Sequence, residues 1–156
     1  MGERKVDGRQ ESKNPGGGSQ PNSVPVAAFG GASGSLDSLT TLFSRVPEQS
    51  GLAYVVMLDI LPEEEDASVQ RLKQSSALPV VVLSESAERI RGNHVYMAAA
   101  RRGLRALDGH LQPGFPAPDS GGILLIDQFF RTLADSHGQH AAGIVLGGWE
   151  SDGMVG

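Results

Sequence analysis

The sequence predicts an α/β fold, a doubly wound and mostly parallel sheet in three αβα layers with one small β-hairpin. Three observations predict it. Short runs rich in Val, Leu and Ala alternate with apolar residues at helical spacing, glycine-rich turns stand where strand runs end, and each apolar run is of strand length. Val24 to Phe29 reads as a buried strand entering Gly30-Gly31-Ala32-Ser33-Gly34. Leu36, Leu39, Leu42, Phe43 and Val46 then recur at helical spacing, and Pro47 stops the run. Leu52 to Met57 is a second apolar strand. After Pro62, the acidic run Glu63-Glu64-Glu65-Asp66 sits where a helix N-terminus favours negative charge, with Val69 and Leu72 on the inner face. Val80 to Leu83 and His94 to Ala98 supply two more strands, and Leu104 to Gln112 a hairpin turning at Asp108-Gly109. Pro113 to Gly122 reads as a loop. Leu125, Ile126, Phe129, Phe130 and Leu133 mark a helix, and Ala142 to Leu146 a final strand that runs into Gly147-Gly148. No internal repeat is visible.

The chain of 156 residues suffices for one domain with one core. Between Val6 and Val24 it carries no aliphatic side chain, so residues 1–23 cannot bury enough apolar surface to offset ordering entropy and are expected to form a disordered leader. Residues 24–156 form the domain. The leader lacks the apolar core of a secretory signal, and no stretch reaches bilayer length, so no membrane insertion and a cytoplasmic location are expected. With no cysteine, disulfides and thiolate chemistry are excluded. A net charge of −5 with two tyrosines, one tryptophan and no arginine stripe beyond Arg101-Arg102 speaks against a nucleic-acid surface.

In an open α/β sheet, ligands gather outside the carboxyl ends of the strands. Ser33, Asp59 and Asp152 each fall just past such an end, which brings two members of a nucleophilic triad and a second carboxylate to one edge. The same residues are also explained as a strand-to-helix turn with Ser33 as N-cap and a plain Asp152-Gly153 turn; the residues alone leave both readings open. A cation held by Asp59, Glu150 and Asp152 is disfavoured because hard-ion sites need more oxygen ligands than these. Neither metal nor cofactor is expected.

Taken together, several stretches resemble the catalytic domain of CheB-type chemotaxis protein-glutamate methylesterases, above all the version fused in front of a CheR-type methyltransferase. They are Gly31-Ala32-Ser33, Arg45-Val46-Pro47, Leu52-Ala53-Tyr54-Val55-Val56, the Gly92 to Met97 segment with His94-Val95-Tyr96, Ile126 to Ala134, and Gly143 to Asp152-Gly153, in the family's order over about residues 24 to 156. The resemblance implies hydrolysis of glutamyl methyl esters on methyl-accepting chemoreceptor-like proteins in a bacterial phosphorelay. It maps the family's nucleophile onto Ser33, its orienting aspartate onto Asp152, and its oxyanion donors onto backbone near Gly34 and Trp149. It also implies that this chain lacks the family's C-terminal helix and strand.

The family's histidine position is occupied by Asp59, in Met57-Leu58-Asp59-Ile60. Gly34-Ser35-Leu36 and Ala99-Ala100-Arg101-Arg102-Gly103 are further departures, and Glu150 replaces a usual glycine. The base must take the serine proton and return one to methoxide, a task suited to a group titrating near neutrality. A carboxylate of ordinary pKa near ~4 does neither well. His137 and His140 precede the last strand and belong at its amino end, His94 begins a strand and His110 sits on the hairpin; all four are expected at the surface or sheet edge. Trp149 is expected as a partly buried packing residue and Asp127 as a helix N-terminal cap or charge. The expectation is therefore a methylesterase domain with impaired or lost activity, or alternatively a non-catalytic module that docks on chemoreceptor-like or fused signalling partners.

Overall fold

The computed structural model of the chain describes residues 23–114 and 122–147. The expected leader, Ser23 excepted, lies outside the described residues, as do most of the Pro113 to Gly122 loop and everything beyond Gly147. Along the chain run β1 (Val26–Ala32), a 3-10 turn (Ser33–Ser35), α1 (Leu36–Phe43), β2 (Ala53–Asp59), α2 (Pro62–Ser75), β3 (Val80–Val82), β4 (Glu88–Arg89) and β5 (His94–Ala99). A second 3-10 turn (Ala100–Arg102), β6 (Leu104–Leu107), β7 (His110–Pro113), α3 (Gly122–His137), a third 3-10 turn (Gly138–His140) and β8 (Ala141–Val145) follow.

Among the described residues, five strands form a parallel sheet in the order β3-β5-β2-β1-β8, and β4-β7-β6 form a small antiparallel one. This is the expected α/β architecture. Its central strands are apolar on both faces because helices cover both. Phe29, Tyr54, Val56, Leu58, Val95 and Met97 pack against Leu36, Leu39 and Phe43 of α1 and Val69 and Leu72 of α2. Their alternating neighbours Val26, Ala28, Ala53, Val55, Met57 and Tyr96 face Leu125, Ile126, Phe129 and Leu133 of α3 and the small sheet. Under α1, the fully buried Phe43 ring meets Phe29 edge-on at 6.0 Å and Tyr54 at 5.4 Å. Such perpendicular rings add about 1 kcal/mol each beyond their buried area.

Local chemistry sets the element ends. In α2 the Glu64 carboxylate accepts the Leu61 backbone N–H at 3.3 Å, so the acidic first turn also caps the helix. The first helix is shorter than its apolar spacing predicts: Ser44 and Arg45 tighten into a turn, Arg45 N–H donating to the Leu42 carbonyl, and Val46 packs onto the core from outside the helix. The hairpin turns where expected, with Asp108 and Gly109 both at positive φ, +49° and +73°. That is the conformation a two-residue primed turn requires. Asp127 lies one turn inside α3 rather than at its cap and pairs with Arg131 at 3.2 Å. The cap expectation fails because the helix begins three residues before Leu125.

Gly30 lets α3 approach the sheet. A Cβ there would lie 2.3 Å from Ile126 Cγ2 and 3.2 Å from Phe130 Cζ, so the helix sits against bare backbone.

At the amino edge, a cleft of about 980 Å³ opens between the hairpin, the end of α3 and Ser23-Val24. His137 lines it, and this corrects the expectation of a surface histidine: it is 3% exposed. Its Nδ1 lies 2.7 Å from Ser136 Oγ. Burial, aided by the neighbouring His140, holds its pKa below the ordinary imidazole value. In the unfolded chain His137 therefore takes up a proton at higher pH than in the fold, and stability falls as pH drops below about 6.5. Thermal melts from pH 7.5 downward are expected to show this loss, with a slope of at most about 1.4 kcal/mol per pH unit for one proton. The slope should flatten in His137→Gln; an unchanged slope in that variant would exclude His137 as its source.

Candidate functional site

Strand order reverses at β1, since the chain leaves it for β2 on one flank and returns as β8 on the other. The crevice outside the carboxyl ends of β1 and β8 is thus a topological switch point, where this class of sheet binds ligands. Ser33 stands there, one residue past β1, and is exposed. It is the first residue of the 3-10 turn; the N-cap of that turn is Ala32, so the reading of Ser33 as a helix cap does not hold. Gly34 follows it within the same turn.

Ser35 ties the turn down. Buried, it donates its hydroxyl to the Gly147 carbonyl at 2.5 Å, while Leu146 N–H donates to the Gly30 carbonyl at 2.8 Å. A Cβ on Gly31 would lie 2.6 Å from Ser35 Oγ, so glycine is what leaves room for this latch. The segment leading to Trp149, Glu150 and Asp152 consequently starts from the wall of the Ser33 turn. Those three residues lie outside the described ones.

Asp59 ends β2, in register with Ala32, so the residue beside it in the neighbouring strand is the one that precedes Ser33. Adjacent strands lie about 4.8 Å apart. The Asp59 carboxylate, 19% exposed, accepts a hydrogen bond from Arg101 Nε at 2.9 Å. Arg102 donates in turn to Glu65 on α2 at 2.8 Å. Both arginines come from the 3-10 turn that follows β5, whose last residues align with the end of β2. Sequence reasoning missed them as site residues, although the rule that selected Ser33 and Asp59 selects them equally: they stand just past the carboxyl end of a strand. What it could not give was the pairing. The negative charge of Asp59 is offset by a guanidinium.

The structure brings no imidazole to this edge among the described residues. His94 starts β5 and holds the Gly92 carbonyl at 2.8 Å through Nδ1; His110 lies on the hairpin beside Asp108, and His137 and His140 precede β8. β1 alone separates the two edges by about 20 Å at 3.3 Å per residue. Chemically, then, the described edge offers an exposed hydroxyl on a turn with backbone N–H groups and a carboxylate held by an arginine, with no imidazole beside them among the described residues. Among the described residues no cluster of three His, Cys, Asp or Glu could hold a metal ion. No helix of the described residues is long and apolar enough to cross a membrane.

The family model for CheB methylesterase matches residues 27–156. A protein-glutamate methylesterase/protein-glutamine glutaminase from Gluconobacter oxydans (strain 621H) is 26% identical over 143 residues, which cover 87% of this chain and 40% of that protein. This chain thus spans about two fifths of the length of the curated relative it matches. The crystal structure of the Thermotoga maritima CheB methylesterase catalytic domain superposes with a TM-score of 0.66 at 20% identity, covering 81% of this chain and 69% of that one. At that identity the superposition speaks for the fold.

Proposed function

Because the chain belongs to the CheB methylesterase family, we propose that its inherited reaction is hydrolysis of glutamyl methyl esters on chemoreceptor-like proteins, and that here hydrolysis is largely lost while docking persists. In this reading Ser33 is the nucleophile, Asp152 the orienting carboxylate, and backbone N–H groups near Gly34 and Trp149 receive the oxyanion. Asp59 occupies the place of the base. Attack by the Ser33 oxygen on the ester carbonyl requires a group that accepts the serine proton and then hands one to the departing methoxide. The ion pair between Asp59 and Arg101 carries the proposal. It ties up Oδ1 at 2.9 Å, and a carboxylate in an ion pair has no proton for methoxide. Residues 24–156 are taken as one methylesterase-type unit, cytoplasmic and acting next to a CheR-type methyltransferase in chemotaxis-type signalling; the downstream reading frame tests that last part.

Methanol release from a methylated receptor fragment tests the central claim. The parent protein should release methanol at a rate close to that of its Ser33→Ala variant. Robust release by the parent that disappears in Ser33→Ala would overturn the loss of hydrolysis and establish a working esterase.

A further inference from the structure

Arg101 is anchored and yet open to solvent. Among the described residues its Nε alone is committed, to Asp59, while the side chain is 61% exposed. A guanidinium has five N–H donors in a rigid plane, so four remain on the two terminal nitrogens. They stand at the carboxyl edge where Asp59 is in register with Ala32, the residue before Ser33. Arg102 sits next in the chain, held by Glu65 and itself partly exposed. Both side chains are thus held in place before any partner arrives, which lowers the entropy lost on binding.

We propose that this edge reads free glutamyl carboxylates on an acidic receptor-type segment in preference to their methyl esters, with Arg101 as the residue that sets the preference. A carboxylate fits the guanidinium fork with two parallel charge-assisted bonds, whereas an ester offers a neutral carbonyl and a weakly accepting ether oxygen. The edge that in a working esterase would capture the ester thereby favours what remains after hydrolysis. The inference rests on the proposed loss of hydrolysis, and it adds the chemical state of the partner that is bound.

Binding of three synthetic peptides to the intact chain tests it, the peptides being identical apart from one position carrying Glu, glutamate γ-methyl ester or Gln. The Glu peptide should bind about tenfold more tightly than the other two, with an advantage that shrinks as salt rises. Arg101→Gln should bring the three affinities together without changing the melting temperature, and Arg101→Lys should keep part of the difference. Equal or tighter binding of the ester or Gln peptide overturns the proposal, as does a preference that survives Arg101→Gln, or no binding of any peptide. Methanol released from the ester peptide would overturn the loss of hydrolysis alone, because the comparison of Glu with Gln does not depend on it.

Discussion

Asp59→His combined with Arg101→Ala is expected to raise methanol release from a methylated receptor by at least about a hundredfold over the parent, close to 2.7 kcal/mol of transition-state stabilisation. The double change is needed because the two side chains act as a pair, 2.9 Å apart. An imidazole placed at position 59 with Arg101 still present would face a guanidinium, and a neighbouring positive charge disfavours the protonated form that must supply methoxide with its proton. The single variant Asp59→His should accordingly fall between parent and double variant. The gain is set well below the several powers of ten that a whole triad member is worth, since neighbouring departures such as Ser35 and Glu150 stay in place. A double variant that folds and releases no more methanol than the parent would show that position 59 is not what silences the site.

The largest effect on stability is expected at Gly30. Gly30→Val would drive a branched side chain into Ile126, whose Cγ2 lies 2.3 Å from the site of the new Cβ, with Phe130 at 3.2 Å behind it. α3 would have to lift from β1, where Ile126 and Phe129 are buried in the larger core cluster. Overpacking of this kind costs about 3 kcal/mol, a large share of a small domain's stability. Gly30→Ala should lose less, and combined with Ile126→Ala it should lose less than the two single variants summed, because the two changes share one contact. Urea denaturation of the four proteins measures the coupling. Additive losses would mean that the helix yields elsewhere.

How much of this was legible in the sequence depends on whether a feature is local. The apolar runs of β1, β2 and β5, the acidic entry to α2 and the Asp108-Gly109 turn were readable because period, charge and turn chemistry reside in consecutive residues. β4 was not. Glu88 and Arg89 have no strand pattern and are a strand only because they pair with Leu111 and His110. His137 is expected at the surface or edge because it precedes the last strand; its burial is a tertiary fact with no local trace. Ser33 and Asp59 were placed at one edge by topology alone, yet the Arg101 counter-ion needed coordinates, since 42 residues separate it from Asp59. Asp152 and Trp149 lie outside the described residues, so their part in the site stays with the sequence argument.

The bond from Ser35 to Gly147 joins residues 112 positions apart. Loop-closure entropy grows with the length of chain to be closed, and β1 finds β8 only after nearly all intervening elements have been made. A nascent polypeptide would thus carry Ser33 and Asp59 long before the serine's turn gains its far wall. The Ser33 side of this edge is therefore walled only once β8 has joined β1, whereas the Asp59 and Arg101 side needs only β2 and β5.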